Sequence, residues 1–167
     1  APILYIYASQ QAFSEYGLSF KNFKSSLTEG VVISVISIFI VLVLIKSLEN
    51  KTGISLNSYL HTLDYGSFFY FMHSFLQEFF TRGVIQGSLH RLLKDKNAYL
   101  SIMLAAGLFA IIHFPYGFPV VLPTFLGGIF FGLIYQRHQN LIGVTIVHGS
   151  LGTLVFMFIL SKGLAPL

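Results

Sequence analysis

The chain has no cysteine and little charge. Only 10% of its 167 residues are charged, whereas about a quarter are charged in soluble proteins. The absence of cysteine excludes disulfide bonds, thiol catalysis and thiolate metal sites. The net charge of +4 is modest, and no basic face is interleaved with aromatic residues, so nucleic acid is not expected as a partner.

Apolar residues dominate the composition instead. They make up 54% of the chain, and the mean hydropathy is +0.75. This composition predicts an integral membrane protein. No Pro/Gly/Ser-rich linker, low-complexity run or internal repeat divides the sequence, so we expect one domain of several packed spans.

Apolar segments recur along the chain at lengths close to the ~20 residues that cross a bilayer. Pro115 ends the third of them, and glycines in the fourth let neighbouring helices approach closely. The sequence therefore predicts an all-α membrane protein, a multi-span bundle of about five transmembrane helices plus an interfacial helix. The predicted spans are residues 31–48, 65–93, 98–114, 120–135 and 141–160.

Residues 1–30 are predicted to precede the membrane-embedded domain, which we place at residues 31–167. The apolar stretch at residues 3–8 is too short to span a bilayer and lacks the basic region of a signal peptide, so it is interpreted as the end of an upstream helix. Residues 17–29 alternate apolar side chains with Lys21 and Lys24, which favours an amphipathic segment facing lipid headgroups.

A carboxylate and a guanidinium lie inside the second apolar segment. Glu78 and Arg82 are four residues apart, so on a helix they share a face and can neutralise each other. Either charge alone would cost several kcal/mol at membrane depth. One interpretation is a structural ion pair that locks two helices together. The other is a functional site, which is the default hypothesis for ionisable groups within a membrane.

Two histidines lie in the later apolar segments. His113 stands at a helix end, where capping of carbonyl groups before Pro115 is the plain alternative to chemistry. His148 lies about two turns inside the fifth segment, and Gly149 and Gly152 are expected to leave an open space beside it. The remaining histidines lie near span ends or loops and are assigned no chemistry; they are His61, His73, His90 and His138.

Glu78, His113 and His148 are compatible with more than one chemistry. They could hold a divalent metal such as zinc in an open site. They could also work without metal, the carboxylate taking a proton from water while the histidines donate to the developing oxyanion. No sequence spacing decides between these two. A serine protease is disfavoured, because the sequence has no Gly-x-Ser-x-Gly motif and Ser150 points away from His148 on a helix.

The order of these motifs resembles the CPBP family of intramembrane proteases, which includes the type II CAAX prenyl endopeptidases and the bacterial Abi-type immunity proteins. The resemblance covers roughly residues 65–160, and residues 16–24 are similar to the segment that precedes a membrane helix in that family. It implies an all-helical membrane bundle. The motifs that carry it are Glu78-x-x-x-Arg82-Gly83, then Phe109-x-x-x-His113, then His148 in a glycine-bearing helix.

The resemblance implies an endopeptidase that works within or beside the bilayer. A glutamate would activate the attacking water, and histidines with an asparagine would support the oxyanion. By this resemblance Glu78, His113 and His148 form the catalytic site, and Arg82 is the charge partner that orients Glu78. The implied partners are a peptide or membrane-protein substrate and membrane lipids, in a bacterial inner membrane.

Two positions depart from the family's pattern. The first of its paired glutamates, usually assigned as the base, is Gln77 here, and the asparagine four residues after the final histidine is Gly152. A neutral amide cannot act as a general base, so either Glu78 has taken that role or the site no longer hydrolyses peptides. The alternative function is therefore a non-catalytic binding or immunity protein on the same scaffold.

Overall fold

A computed structural model describes residues 12–53, 57 and 65–161 of the chain. Within these ranges the fold is all-α, as predicted. The described residues form five long helices, two short 3-10 helices at Phe13–Tyr16 and Phe114–Tyr116, and no strand. The prediction of an upstream helix end at residues 3–8 lies outside the described residues. The helices are α1 (Phe23–Thr52), α2 (the consecutive segments Tyr65–Glu78, Phe79–Gln86 and Gly87–Leu93), α3 (Tyr99–Ile111), α4 (Phe118–His138) and α5 (Leu141–Ser161).

Two of these helices have the length and composition of membrane spans. They are α1, over Phe23–Lys51, and α4, over Phe118–His138. The helix α3 and the stretch Leu141–Val155 of α5 are shorter apolar helices. All five predicted spans therefore correspond to helices, and most boundaries differ from prediction by only a few residues.

The largest difference is at the start of the first span. Helix α1 begins at Phe23, eight residues before Val31, and it runs through the boundary predicted between residues 30 and 31. The separate interfacial helix expected over residues 17–29 does not form, because Gly17 and Asn22 both have positive φ and hold residues 17–22 in a turn. Lys21 and Lys24 are exposed, as an interfacial location requires.

The segment before α1 is attached to the start of α5. The amide of Leu141 donates to the carbonyl of Gly17 at 3.1 Å, and the side-chain amide of Asn140 donates to the carbonyls of Ser19 and Lys21. Tyr16 is fully buried. A Cβ on Gly83 would lie 2.5 Å from the Tyr16 carbonyl oxygen, so only glycine allows this approach to α2.

Helices α1 and α5 touch through their backbones. A Cβ added to Gly30 would lie 2.6 Å from the Cα of Gly143, which is the close approach that small residues permit between membrane helices. The hydroxyl of Ser26 accepts a hydrogen bond from the Gly143 amide at 3.1 Å. Nearby, Glu29 pairs with Arg137 at 2.5 Å and with His138, which ties α1 to the end of α4.

The distribution of polar and apolar side chains is that of a protein surrounded by lipid. Buried polar residues include Ser74, Glu78, Arg82 and Gln86, each at most 1% exposed. Large apolar side chains along α1 face outward, and Phe39 is 67% exposed. In hydrocarbon, polar groups are costly unless they face the bundle interior, so this arrangement fits the membrane class that the composition predicted.

The loop between α2 and α3 is closed by one carboxylate. Asp95 accepts hydrogen bonds from the amides of Leu100 and Ser101, which are free donors at the start of α3, and pairs with His90 at 3.1 Å. Desolvation raises the pKa of Asp95, but the bonds from Ser101, His90 and Leu100 outweigh it and hold the pKa below its usual value.

Protonation of Asp95 should therefore destabilise the fold. A carboxyl whose pKa is lower in the folded state stabilises above its unfolded pKa, and this stabilisation is lost as pH falls through the folded pKa. We expect the thermal midpoint in detergent to fall below about pH 4. Asp95→Asn keeps an acceptor oxygen but not the titration, and should flatten this part of the profile. Identical pH profiles for both proteins would contradict the assignment.

Candidate active site

Glu78 and His148 meet in the interior of the bundle. Helix α2 supplies Glu78, which is fully buried, and α5 supplies His148, which is 5% exposed. The Nδ1 of His148 lies 2.6 Å from Oε1 of Glu78. A carboxylate accepts, so the imidazole carries its proton on Nδ1 and donates it. The Nε2 atom makes no hydrogen bond to any described residue.

The second oxygen of Glu78 belongs to a polar row along α2. Arg82 donates from Nε to Oε2 of Glu78 at 3.0 Å and from Nη1 to Oε1 of Gln86 at 3.2 Å. Gln86 in turn donates to the backbone carbonyl of Gly132 on α4 at 3.2 Å. The predicted pairing of Glu78 with Arg82 is thus present, and it continues to a third helix.

The backbone of α2 helps to align this row. Residues Phe79–Gln86 form a π-helix, a rare conformation that is frequent at functional sites. A π-helix has more than 3.6 residues per turn, so each residue rotates by less than the ~100° of an α-helix. Glu78, Arg82 and Gln86, at successive intervals of four, consequently lie more nearly in line than they would on an α-helix.

His113 is close to this pair without bonding to it. Its Nδ1 donates to the carbonyl of Phe109 at 2.7 Å, which is the capping contact that the sequence offered as the plain alternative. The ring of Phe109 lies 4.6 Å from the His113 ring and 5.8 Å from the His148 ring, between centroids. The two imidazoles therefore lie within about one helix diameter of each other. In neither ring does Nε2 bond to a group in the part of the chain that the structure describes.

Aromatic rings enclose the imidazole of His148. Phe131 of α4 stacks on it with centroids 4.8 Å apart and planes inclined by 22°. Phe109 and Tyr70 contact it edge-on, Tyr70 at 6.4 Å. These rings fix the orientation of the imidazole and lower the local dielectric constant, which strengthens its hydrogen bond to Glu78.

The open space expected beside His148 is filled, and that prediction is wrong. A Cβ on Gly149 would collide with the ring of Phe71, and a Cβ on Gly152 would collide with the hydroxyl of Tyr70. The two glycines of α5 therefore form a recess that accepts two aromatic side chains of α2. Tyr70 is not predicted from the sequence, because it packs against Gly152 and a contact with a glycine leaves no pattern in the sequence.

Gln77 lies beside this network but does not join it. Its Oε1 is buried, and within the described part of the chain no group bonds to it. Glu78, the next residue, accepts the hydrogen bonds from both Arg82 and His148. Successive residues on a helix point about 100° apart, so the two side chains cannot substitute for one another. A supporting role for Gln77 remains a prediction.

The side chains as arranged do not fit a metal ion. Among the described residues no group of three or more His, Cys, Asp or Glu is placed to hold one. Glu78 directs one oxygen to His148 and the other to Arg82, so each oxygen already accepts a donor. A cationic Arg82 beside the carboxylate also opposes a second cation there. The arrangement therefore does not support the zinc site considered at Glu78, His113 and His148.

Comparison with known proteins places this chain in a family of membrane endopeptidases. The family model described as type II CAAX prenyl endopeptidase Rce1-like matches residues 33–154. No curated protein and no solved structure matches the chain. The matched range includes every residue of the network described above.

Removing Arg82 should strongly destabilise the protein. Arg82→Met fills the volume but leaves Glu78 charged and half satisfied, and loss of one member of a buried pair costs about 3–5 kcal/mol. Arg82→Met/Glu78→Gln removes both charges and should recover part of that loss. Thermal unfolding of the purified variants in detergent measures both effects. A harmless single change, or a double variant no more stable than the single, would refute a buried pair.

Gly152→Ala should also destabilise the protein, because the new methyl group overlaps the Tyr70 ring. Overpacking of this kind costs about 1–3 kcal/mol. Gly107→Ala is the matched control, since a Cβ there meets nothing within 4 Å. Adding Tyr70→Ala to Gly152→Ala should relieve the clash. Equal unfolding temperatures for the Gly152 and Gly107 variants would show that the recess is not tightly filled.

Proposed function

The chain belongs to the Rce1-like family of type II CAAX prenyl endopeptidases, and we propose that it is an intramembrane endopeptidase whose hydrolytic step is weakened by Gln77 and Gly152. The observation that carries the proposal is the buried hydrogen bond between Glu78 and His148. A carboxylate that holds Nδ1 of a histidine, and leaves Nε2 available, is the arrangement of a general base with its orienting acid.

The hydrogen-bond donors and acceptors of Glu78 and His148 indicate how such a pair would act. Both oxygens of Glu78 already accept hydrogen bonds, so the atom available to take a proton from water is Nε2 of His148. The resulting hydroxide would attack the carbonyl carbon of a peptide bond. The imidazolium, stabilised by the Glu78 carboxylate, would then return the proton to the leaving amine nitrogen. Glu78 activates the water through His148 in this scheme.

Arg82 has a positioning role in the proposal. It holds Glu78 in the rotamer that faces α5, and its own position is set by Gln86. His113, on the other side of the Phe109 ring, would help to stabilise the oxyanion. Because its Nδ1 proton is bonded to the Phe109 carbonyl, it could donate to an oxyanion only when protonated at Nε2.

The proposed surroundings follow from the family and from the exposed apolar surface. The substrate would be a peptide or membrane protein that reaches the bundle from within or beside the bilayer. We place the five helices across a bacterial inner membrane, with Lys21 and Lys24 at the headgroups. Lipid acyl chains would cover the outward side chains of α1.

One observation favours a second function. Gln77 occupies the position of the family's usual base. A primary amide can donate and accept hydrogen bonds with a peptide, but it cannot take a proton from water at neutral pH. The Oε1 atom of Gln77 has no hydrogen-bond partner among the described residues, so this side chain is suited to bind a peptide backbone. The second candidate is therefore a non-catalytic membrane protein, of binding or immunity type, that captures a peptide without cleaving it.

Cleavage of a membrane-peptide library by purified protein in detergent tests the first function. We expect slow turnover by the natural sequence and a gain of about 10²-fold or more in Gln77→Glu, since a positioned base typically contributes that much. His148→Ala and Glu78→Gln should each abolish activity. Gln139→Glu is the control, because it makes the same chemical change at an exposed residue outside the site.

Two outcomes would overturn the proposal. Turnover that survives both His148→Ala and Glu78→Gln would mean that these residues are not the site. Inactivity of every variant, including Gln77→Glu, would favour the binding function. In that case, capture of library peptides by the natural sequence should be lost in Gln77→Ala.

A further inference from the structure

The last turns of α2 carry an apolar groove that opens away from the interior network. Its volume is about 290 Å³, and it is lined by Val84, Ile85, Ser88, Leu89 and Leu92. These residues are all at least partly exposed, and Leu92 is 76% exposed. On the outside of a membrane protein such a surface contacts lipid. The groove is therefore a place where one acyl chain can be held against the helix.

A guanidinium lies at the polar edge of this groove. Nη2 of Arg91 donates to the hydroxyl of Ser88, the one polar side chain of the lining, at 3.2 Å. The guanidinium carbon also lies over the ring of Tyr16, 5.6 Å from its centroid, which is within cation–π range. Among the described residues Arg91 makes no further hydrogen bond and no ion pair, so most of its five N–H donors are left for an anion.

More positive charge follows where the helix ends. Lys94 and Lys96 are exposed, and neither forms an ion pair with a described residue. The carboxylate between them, Asp95, is bonded to His90 and to the first amides of α3. The other carboxylate nearby is the exposed Glu15, whose backbone carbonyl lies beside α2. Positive charge is thus in excess at this end of the groove.

We propose that the groove and its cationic edge bind an anionic phospholipid such as phosphatidylglycerol. The phosphate would accept hydrogen bonds from Arg91, whose planar fork suits phosphate oxygens, with Lys94 adding a point charge. One acyl chain would lie along Leu89 and Leu92. Basic residues where a membrane helix ends are known to attract anionic headgroups. The inference concerns a lipid site outside the Glu78–His148 network and does not depend on the endopeptidase function.

Lipid binding to the purified, delipidated protein tests the headgroup site, with native mass spectrometry as the measurement. Dioleoylphosphatidylglycerol should bind more tightly than dioleoylphosphatidylcholine, which has the same acyl chains. Arg91→Gln should lower this preference about fivefold, the usual effect of one basic residue at an anionic membrane surface. Lys24→Gln is the matched control, because it removes an exposed positive charge from the same end of the bundle and should have a smaller effect.

A second set of measurements tests the groove. Leu92→Asn removes apolar lining without changing a charge, so it should weaken binding of both dioleoyl lipids by similar factors. Leu126→Asn, at a 57% exposed leucine of α4, is the matched control and should leave both affinities unchanged. Inorganic phosphate and dihexanoylphosphatidylglycerol supply the charge without a long chain. Neither should raise the unfolding temperature at a concentration where the dioleoyl lipid saturates.

Each measurement can overturn the proposal. Equal affinities for the two dioleoyl lipids would exclude an anionic headgroup site. Equal losses in Arg91→Gln and Lys24→Gln would show diffuse surface charge instead of a defined site. Equal effects of Leu92→Asn and Leu126→Asn, or stabilisation by inorganic phosphate alone, would remove the groove from the account. Leu92 is largely exposed, so its variant is expected to fold and keeps the test decisive even where Arg91→Gln is unstable.

Discussion

The buried carboxylate of Glu78 is the constraint on which the rest of the interior depends. A fully desolvated negative charge must be matched, and here it is matched twice, by Arg82 on its own helix and by His148 on α5. Arg82 then needs further acceptors, and Gln86 carries the row to the Gly132 carbonyl on α4. One charge thereby fixes the relative positions of three helices.

Much of this arrangement could be predicted from the sequence. The all-α class and the five helices follow from composition and apolar length, and the pairing of Glu78 with Arg82 follows from their spacing on a helix. That His148 faces Glu78 could be expected only as one of several possibilities, because apolar segments do not specify which helix faces which. The match over residues 33–154 supports the family but does not assign a role to any of these residues.

Other features depend on contacts that leave no sequence pattern. Gly17 and Asn22 replace the expected interfacial helix by a turn, which only their backbone angles reveal. The π-helix has no compositional signal, since its stabilising contacts are tertiary. Glycines beside His148 suggested free space, but a glycine equally admits a neighbour's ring, and Tyr70 and Phe71 occupy that volume.

Glu78 is fully buried near the middle of α2, with about 20 Å of helix on either side of it. Water is a reactant in hydrolysis, and it must come through the protein to reach a fully buried group. A hydrolytic rate here would therefore depend on how often a hydrated passage opens as well as on the site itself. Peptide capture consumes no water and would be free of that dependence, so the same burial that hinders an enzyme leaves a binding protein unaffected.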